Sequence, residues 1–152
     1  MESNSELLSS QSGVTRGLPI AVPCVVGLIT SPAATTIIGC ALRVHTALGP
    51  GLLESVYQEC LDLELKKAGL AFRRQVRLPL EYHAVRIPRA YVADFIVENA
   101  VLVELKTVDQ LLPVHRAQVL TYLRIARLQK GLLINFRVVR LKDGIKSVIL
   151  TA

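Results

Sequence analysis

Two apolar runs held apart by three residues constrain this chain more than any other feature. Residues 92–97 read VADFIV, residues 101–106 read VLVELK, and Glu98, Asn99 and Ala100 lie between them. Runs of this kind form strands buried in a sheet, and such strands rarely carry charge. Yet Asp94 sits inside the first run, and Glu104 and Lys106 close the second. A buried carboxylate without a partner is costly, so the fold must bring these groups to water or compensate them.

A three-residue loop would set Val97 opposite Val101, Ile96 opposite Leu102 and Asp94 opposite Glu104. Residues opposite one another share a face of the sheet. Asp94, Glu104 and Lys106 then line one face, while Phe95, Val97, Val101, Val103 and Leu105 fill the other. A two-residue Asn99-Ala100 turn would pair Phe95 with Glu104 and split the apolar set, so the first register is expected. Two carboxylates whose Cβ atoms lie about 5 Å apart repel. A divalent cation turns that defect into a site, because Mg²⁺ is held by one or two carboxylates with water and phosphate oxygens completing its shell. Lys106 projects into the same space, where it could hold an attacking water or offset phosphate charge. The structural alternative is that Lys106 neutralises Glu104 and Asp94 caps a strand end.

The flanking sequence supplies the rest of a fold. Residues 35–48 and 52–69 repeat apolar side chains every three to four residues, with Thr35 or Thr36 as N-cap of the first and Gly69 ending the second. Beyond Gly69 the period becomes two. Residues 71–82 form a strand, at an edge because Pro79 cannot donate to a ladder, and residues 83–90 lead round to the strand of 91–97. After 101–106, residues 113–131 are predicted as a helix stopped by Gly131, and 132–141 as a strand entering a hairpin turned at 142–144. The order α-α-β-β-β-α-β-β implies an α/β fold with a mixed central sheet flanked by helices.

At 152 residues the chain suits one domain, read here as residues 36–152 behind a disordered extension, residues 1–35. No apolar run is long enough to span a bilayer; residues 18–30 are too short and hold Pro19 and Pro23. Residues 1–13 carry two glutamates and no lysine or arginine, the wrong charge for an export signal. Cys24, Cys40 and Cys60 show no metal-ligand spacing, which fits a cytoplasmic protein. The net charge of +6 favours a polyanionic partner. Arg73, Arg74 and Arg77, with Arg86 and Arg89, cluster before the acidic strands, either to hold phosphates or to protect an edge strand.

The spacing Asp94, nine residues, Glu104-Leu105-Lys106 resembles the signature of the PD-(D/E)xK nucleases, with Ala93 in place of the proline before the aspartate. GLLESVY at 51–57 resembles the Gly-x-x-Glu-x-x-Tyr signature of the GxxExxY family, a branch of those nucleases, as do its surroundings over residues 36–150; Arg43 departs from the acidic residue expected before Val44-His45. The resemblance implies a restriction-endonuclease-like α-β-β-β-α-β core and an Mg²⁺- or Mn²⁺-dependent nuclease acting on nucleic acid, DNA before RNA. By position it assigns Asp94 and Glu104 as metal-binding acids and Lys106 as catalytic lysine. It adds Glu54 and the Leu105 carbonyl as further ligands, and Gln118 as the polar residue of the crossover helix. For Glu54 the rival role is a helix-end carboxylate. Tyr57 could stack on a base, support Glu54 or sit in the core. His115 could contact nucleic acid or cap its helix. A second class of function stays open, a catalytically silent module of this fold that binds nucleic acid or a protein partner. Cutting both strands of a duplex takes two sites, which a homodimer would supply.

Overall fold

Ser31 and Pro32 open the first helix. The computed structural model describes Cys24–Val25 and residues 31–152; the expected disorder of the extension falls on residues 1–23 and 26–30, outside the described residues. The Ser31 hydroxyl oxygen accepts the Ala34 N–H at 3.2 Å, and Pro32 takes the first helical position, where its missing donor costs nothing. Helix α1, Pro32–Leu48, therefore starts before Thr35, and the boundary placed at residue 35 falls inside it. Thr36 is not the cap; its hydroxyl donates to the Pro32 carbonyl. Helix α2, Glu54–Lys67, ends where Gly69 adopts a φ of 72°, as expected of a C-terminal glycine.

Strand β1, Cys24–Val25, is two residues long; β2, Phe72–Tyr82, and β3, Val85–Val97, form a long antiparallel hairpin. Its turn is His83-Ala84, both at positive φ, so residues 85–90 are strand and not the loop expected there. No glycine announces this turn, which hid it. Then come β4, Val101–Lys106, helix α3, Pro113–Ala126, and β5, Lys130–Asn135. A single turn of helix, α4, Leu141–Gly144, and strand β6, Ile145–Leu150, complete the described chain. The six-stranded sheet runs β1-β6-β5-β4-β3-β2, with β4 parallel to β5 and the other pairs antiparallel. This is the mixed α/β architecture expected, with β2 at the edge and its register shifting across Pro79.

Helices α1 and α2 cover one face of the sheet, burying Phe95, Val97, Val101, Val103 and Leu105 with Leu132, Ile134 and Phe136. Helix α3 covers the other, over Leu78, Leu102, Leu133 and Val148. Three expectations fail around α3 and β5. The helix stops at Ala126, with Arg127 in the left-handed region at φ 57°. Gly131 lies in β5, where an added Cβ would sit 2.8 Å from Val119 Cγ1; it is glycine so that α3 can approach the sheet. Strand β5 ends at Asn135, whose buried side chain bonds both the N–H and the carbonyl of Val108. Residues 142–144 belong to α4 and make no tight hairpin turn, and a Cβ on Gly144 would collide with the Asn135 carbonyl oxygen. Among the described residues no helix is long and apolar enough to cross a membrane.

Candidate active site between β3 and β4

The three-residue loop is present: Val97 pairs with Val101, Ile96 with Leu102 and Phe95 with Val103. Beyond Phe95 the backbone ladder gives way. The Leu105 N–H donates to Asp94 Oδ2 at 2.8 Å, a carboxylate taking the place of a strand carbonyl. Glu104 Oε2 lies 3.4 Å from the Asp94 N–H. The two acids therefore face each other as the register requires, and both are buried, at 6% and 4% exposure. Lys106 Nζ lies 3.2 Å from Glu104 Oε1. All three groups named from spacing meet in one place.

A break in strand alternation shapes this place. Ala93 packs with the α3 cluster and Phe95 with the α1–α2 cluster, although strict alternation would put both on one face. On β2 the same switch occurs between Phe72 and Val76. Register places Gln75 opposite Asp94, between the Arg74–Phe95 and Val76–Ala93 pairs, and Gln75 holds a φ of 51°. Non-glycine residues reach that region only when their surroundings enforce it. Gln75 then points its amide at Asp94 Oδ1, 3.5 Å away, and to Gln58 Oε1 at 2.9 Å. Gln58, from α2, donates to the same Asp94 oxygen at 2.9 Å.

Glu54 opens α2 one turn before Gln58. Its carboxyl is raised above the usual range by burial and then by the charge of Asp94, with Lys106 opposing, so it shares the field of the site. On α3, Gln118 Nε2 donates to the Tyr122 hydroxyl at 2.7 Å. Burial first, and the charges of Glu104 and Asp94 among the lesser causes, raise the Tyr122 phenol, which ties that helix to the acids electrostatically. Burial and the neighbouring Asp94 push Glu104 up to about 7, despite Lys106. Asp94 is also raised by burial, against the Leu105 N–H and Lys106. Burial outweighs Lys106 at Glu104, and outweighs the Leu105 N–H, Lys106 and Arg74 at Asp94, so the pair's negative charge is only partly compensated.

That deficit fits a divalent cation. Among the described residues no three His, Cys, Asp or Glu side chains converge as a ready-made cage. Two carboxylates with solvent and substrate oxygens suffice for Mg²⁺.

Other residues singled out from sequence lie elsewhere. Tyr57 is fully buried, stacked 4.4 Å from the Phe136 ring; its hydroxyl donates to the Gly49 carbonyl and accepts from the Leu52 N–H at 3.2 Å. It cannot stack on a base, because the core encloses its ring. His115 Nδ1 accepts the Leu112 N–H at 2.9 Å and caps α3. Arg74 turns towards α2, 2.7 Å from Glu59 and 4.0 Å from Asp62, so its charge is already partly matched there. Arg73 and Arg77 are exposed and line a cavity with Arg127, which follows α3. Gln58, Gln75 and Tyr122 escaped the sequence reading. Gln58 and Tyr122 each stand four residues after a named candidate, Glu54 and Gln118, a spacing that shares a helix face. Gln75 left no signal, since only the backbone switch brings it to Asp94.

No curated protein and no solved structure matches this chain. Residues 31–148, from the cap of α1 into β6, match the PD-(D/E)XK nuclease superfamily. A match of that extent, over a fold that brings Asp94, Glu104 and Lys106 together between β3 and β4, means that the chain belongs to the PD-(D/E)XK nuclease superfamily.

Proposed function

We propose that this chain is a divalent-metal-dependent endonuclease that hydrolyses phosphodiester bonds in DNA, and that it falls in the GxxExxY branch of its superfamily. Membership of the superfamily supports nuclease chemistry, and PD-(D/E)XK nucleases generally use divalent metal ions. The observation that carries the reading is the buried, mutually facing pair Asp94 and Glu104 with Lys106 at 3.2 Å. The branch is supported by Glu54 within the field of Asp94 and by Tyr57, which ties the Gly49–Leu52 turn to α2.

Asp94 and Glu104 would hold Mg²⁺ or Mn²⁺, with the Leu105 carbonyl and Glu54 adding oxygen ligands. Such an ion, when bound, lowers the pKa of water and offsets charge on the phosphate. Lys106 donates to the incoming water or to a phosphate oxygen, and its position beside Glu104 keeps it oriented. Gln118, fixed by Tyr122, offers a polar contact from the far side. Gln58 and Gln75 hold the Asp94 carboxylate in one orientation. Arg73 and Arg77 would contact phosphates, and a homodimer would let two such sites cut both strands.

Plasmid nicking with Mg²⁺ or Mn²⁺ tests this, comparing the unaltered chain with Asp94→Ala and Lys106→Ala. Activity should vanish in both variants while each keeps its fold. Nicking that survives either change sinks the assignment. Duplex binding without any metal-dependent nicking by the unaltered chain would point to the silent module instead.

A further inference from the structure

Arg73 and Arg77 share a cavity with a third arginine that nothing in the catalytic site uses. Arg73 and Arg77 of β2, Ile96 of β3, Asn99 of the β3–β4 loop and Arg127 after α3 line a space of about 420 Å³. No carboxylate lines it, and among the described residues no ion pair engages any of these three arginines. Arg73 donates to Asn99 Oδ1 at 3.4 Å, leaving the Asn99 amide N–H groups as further donors. Arg127 holds a φ of 57° at a position where glycine is the usual occupant. The chain keeps an arginine there despite that backbone cost.

Three like charges around one cavity repel unless an anion joins them. A guanidinium offers a planar fork of donors that matches phosphate oxygens two at a time. The volume falls within the range of small-molecule sites. We infer that this cavity binds a phosphate ester, held by Arg73, Arg77 and Arg127. It lies on the loop side of the acid pair, and Ile96 is two residues, about 7 Å, from Asp94 along β3. The phosphate comes either from a nucleotide of a substrate strand, which rests on the nuclease reading above, or from a free mononucleotide, which does not.

The full-length chain, in EDTA so that no cleavage intervenes, is titrated with a deoxynucleoside monophosphate by calorimetry and with a labelled 20-base-pair duplex by anisotropy. Arg127→Gln and Arg77→Gln are compared with the unaltered chain, with melting curves as the check on folding. Each change should weaken binding about tenfold, the loss expected for one charged hydrogen-bonding group. Weakened duplex binding assigns the phosphate to a substrate strand; weakened nucleotide binding alone assigns it to a free ligand. If Arg127→Gln unfolds, Arg77→Gln on the exposed edge strand carries the comparison. No uptake of either probe by the unaltered chain, or unchanged affinity for both probes in the folded variants, overturns the inference. Asp94→Ala should keep nucleotide binding, which separates this site from any failure of the nuclease reading.

Discussion

On one face of β4, Val101, Val103 and Leu105 are at most 1% exposed; on the other, Leu102 and Glu104 are 0% and 4% exposed. Equal burial has opposite consequences on the two faces. Each apolar side chain gains about 1.5–3 kcal/mol by leaving water. Glu104 loses hydration instead and recovers only part of it from Lys106, which leaves its carboxyl pushed up to about 7. Asp94, facing it, is raised as well. The apolar side chains of both faces, Leu102 included, stabilise the fold, and Glu104 draws on that stability to hold charge in readiness for a cation.

Breaking the acid face should have the largest effect on activity and the opposite effect on stability. Glu104→Gln is expected to cut metal-dependent nicking by at least about a hundredfold. In EDTA the same variant should melt higher at neutral pH. The sign follows from the shift: a folded carboxyl at about 7 binds its proton more tightly than the ordinary value of 4.5 allows. The contribution of this pair is thus fully present below about 4.5 and lost as pH rises through 7, by a few kcal/mol, roughly. Melting temperatures between pH 4 and 8 should show that decline in the unaltered chain and a smaller one, from Asp94, in Glu104→Gln, and millimolar Mn²⁺ should reverse it in the unaltered chain. A flat profile in both proteins would remove the contrast between the faces.

On the apolar face, Leu132→Ala, beside Val103 in β5, should cost about 2–5 kcal/mol by leaving a cavity. Urea denaturation measures this, while the fraction that stays folded should keep its nicking rate. Gly131→Ala, under α3, should cost about 1–3 kcal/mol as Val119 and its helix are forced outward. Arg74→Gln should change stability by less than about 1 kcal/mol and leave duplex affinity unchanged, because its exposed pair with Glu59 is weak and its charge faces α2. Weaker duplex binding in that variant would show that Arg74 reaches substrate after all.

The acid pair was legible because a strand's side chains alternate with period two and a three-residue loop leaves one consistent register. Those are local rules, and Asp94, Glu104 and Lys106 obey them. Gly131, by contrast, reads as a helix stop in one dimension, and only packing reveals it as the contact point of α3. The hairpin turn at His83-Ala84 was invisible because neither residue is one that turns favour. Arg74 looked interchangeable with Arg73 and Arg77 until packing set it against Glu59 and Asp62 of α2. Tyr57 belonged to a recognisable run, yet which of its three roles it plays depends on Phe136, 79 residues downstream.

By itself the amino-acid sequence determined the types of the main helices and strands, the β3–β4 register and the meeting of two acids with a lysine, since these depend on periodicity and near neighbours. The tertiary structure alone decided where alternation breaks at Gln75 and Asp94, which arginines are already paired, and that Gln58 and Tyr122 border the acids. Those outcomes depend on contacts between segments distant in the chain, whose energies no local pattern encodes.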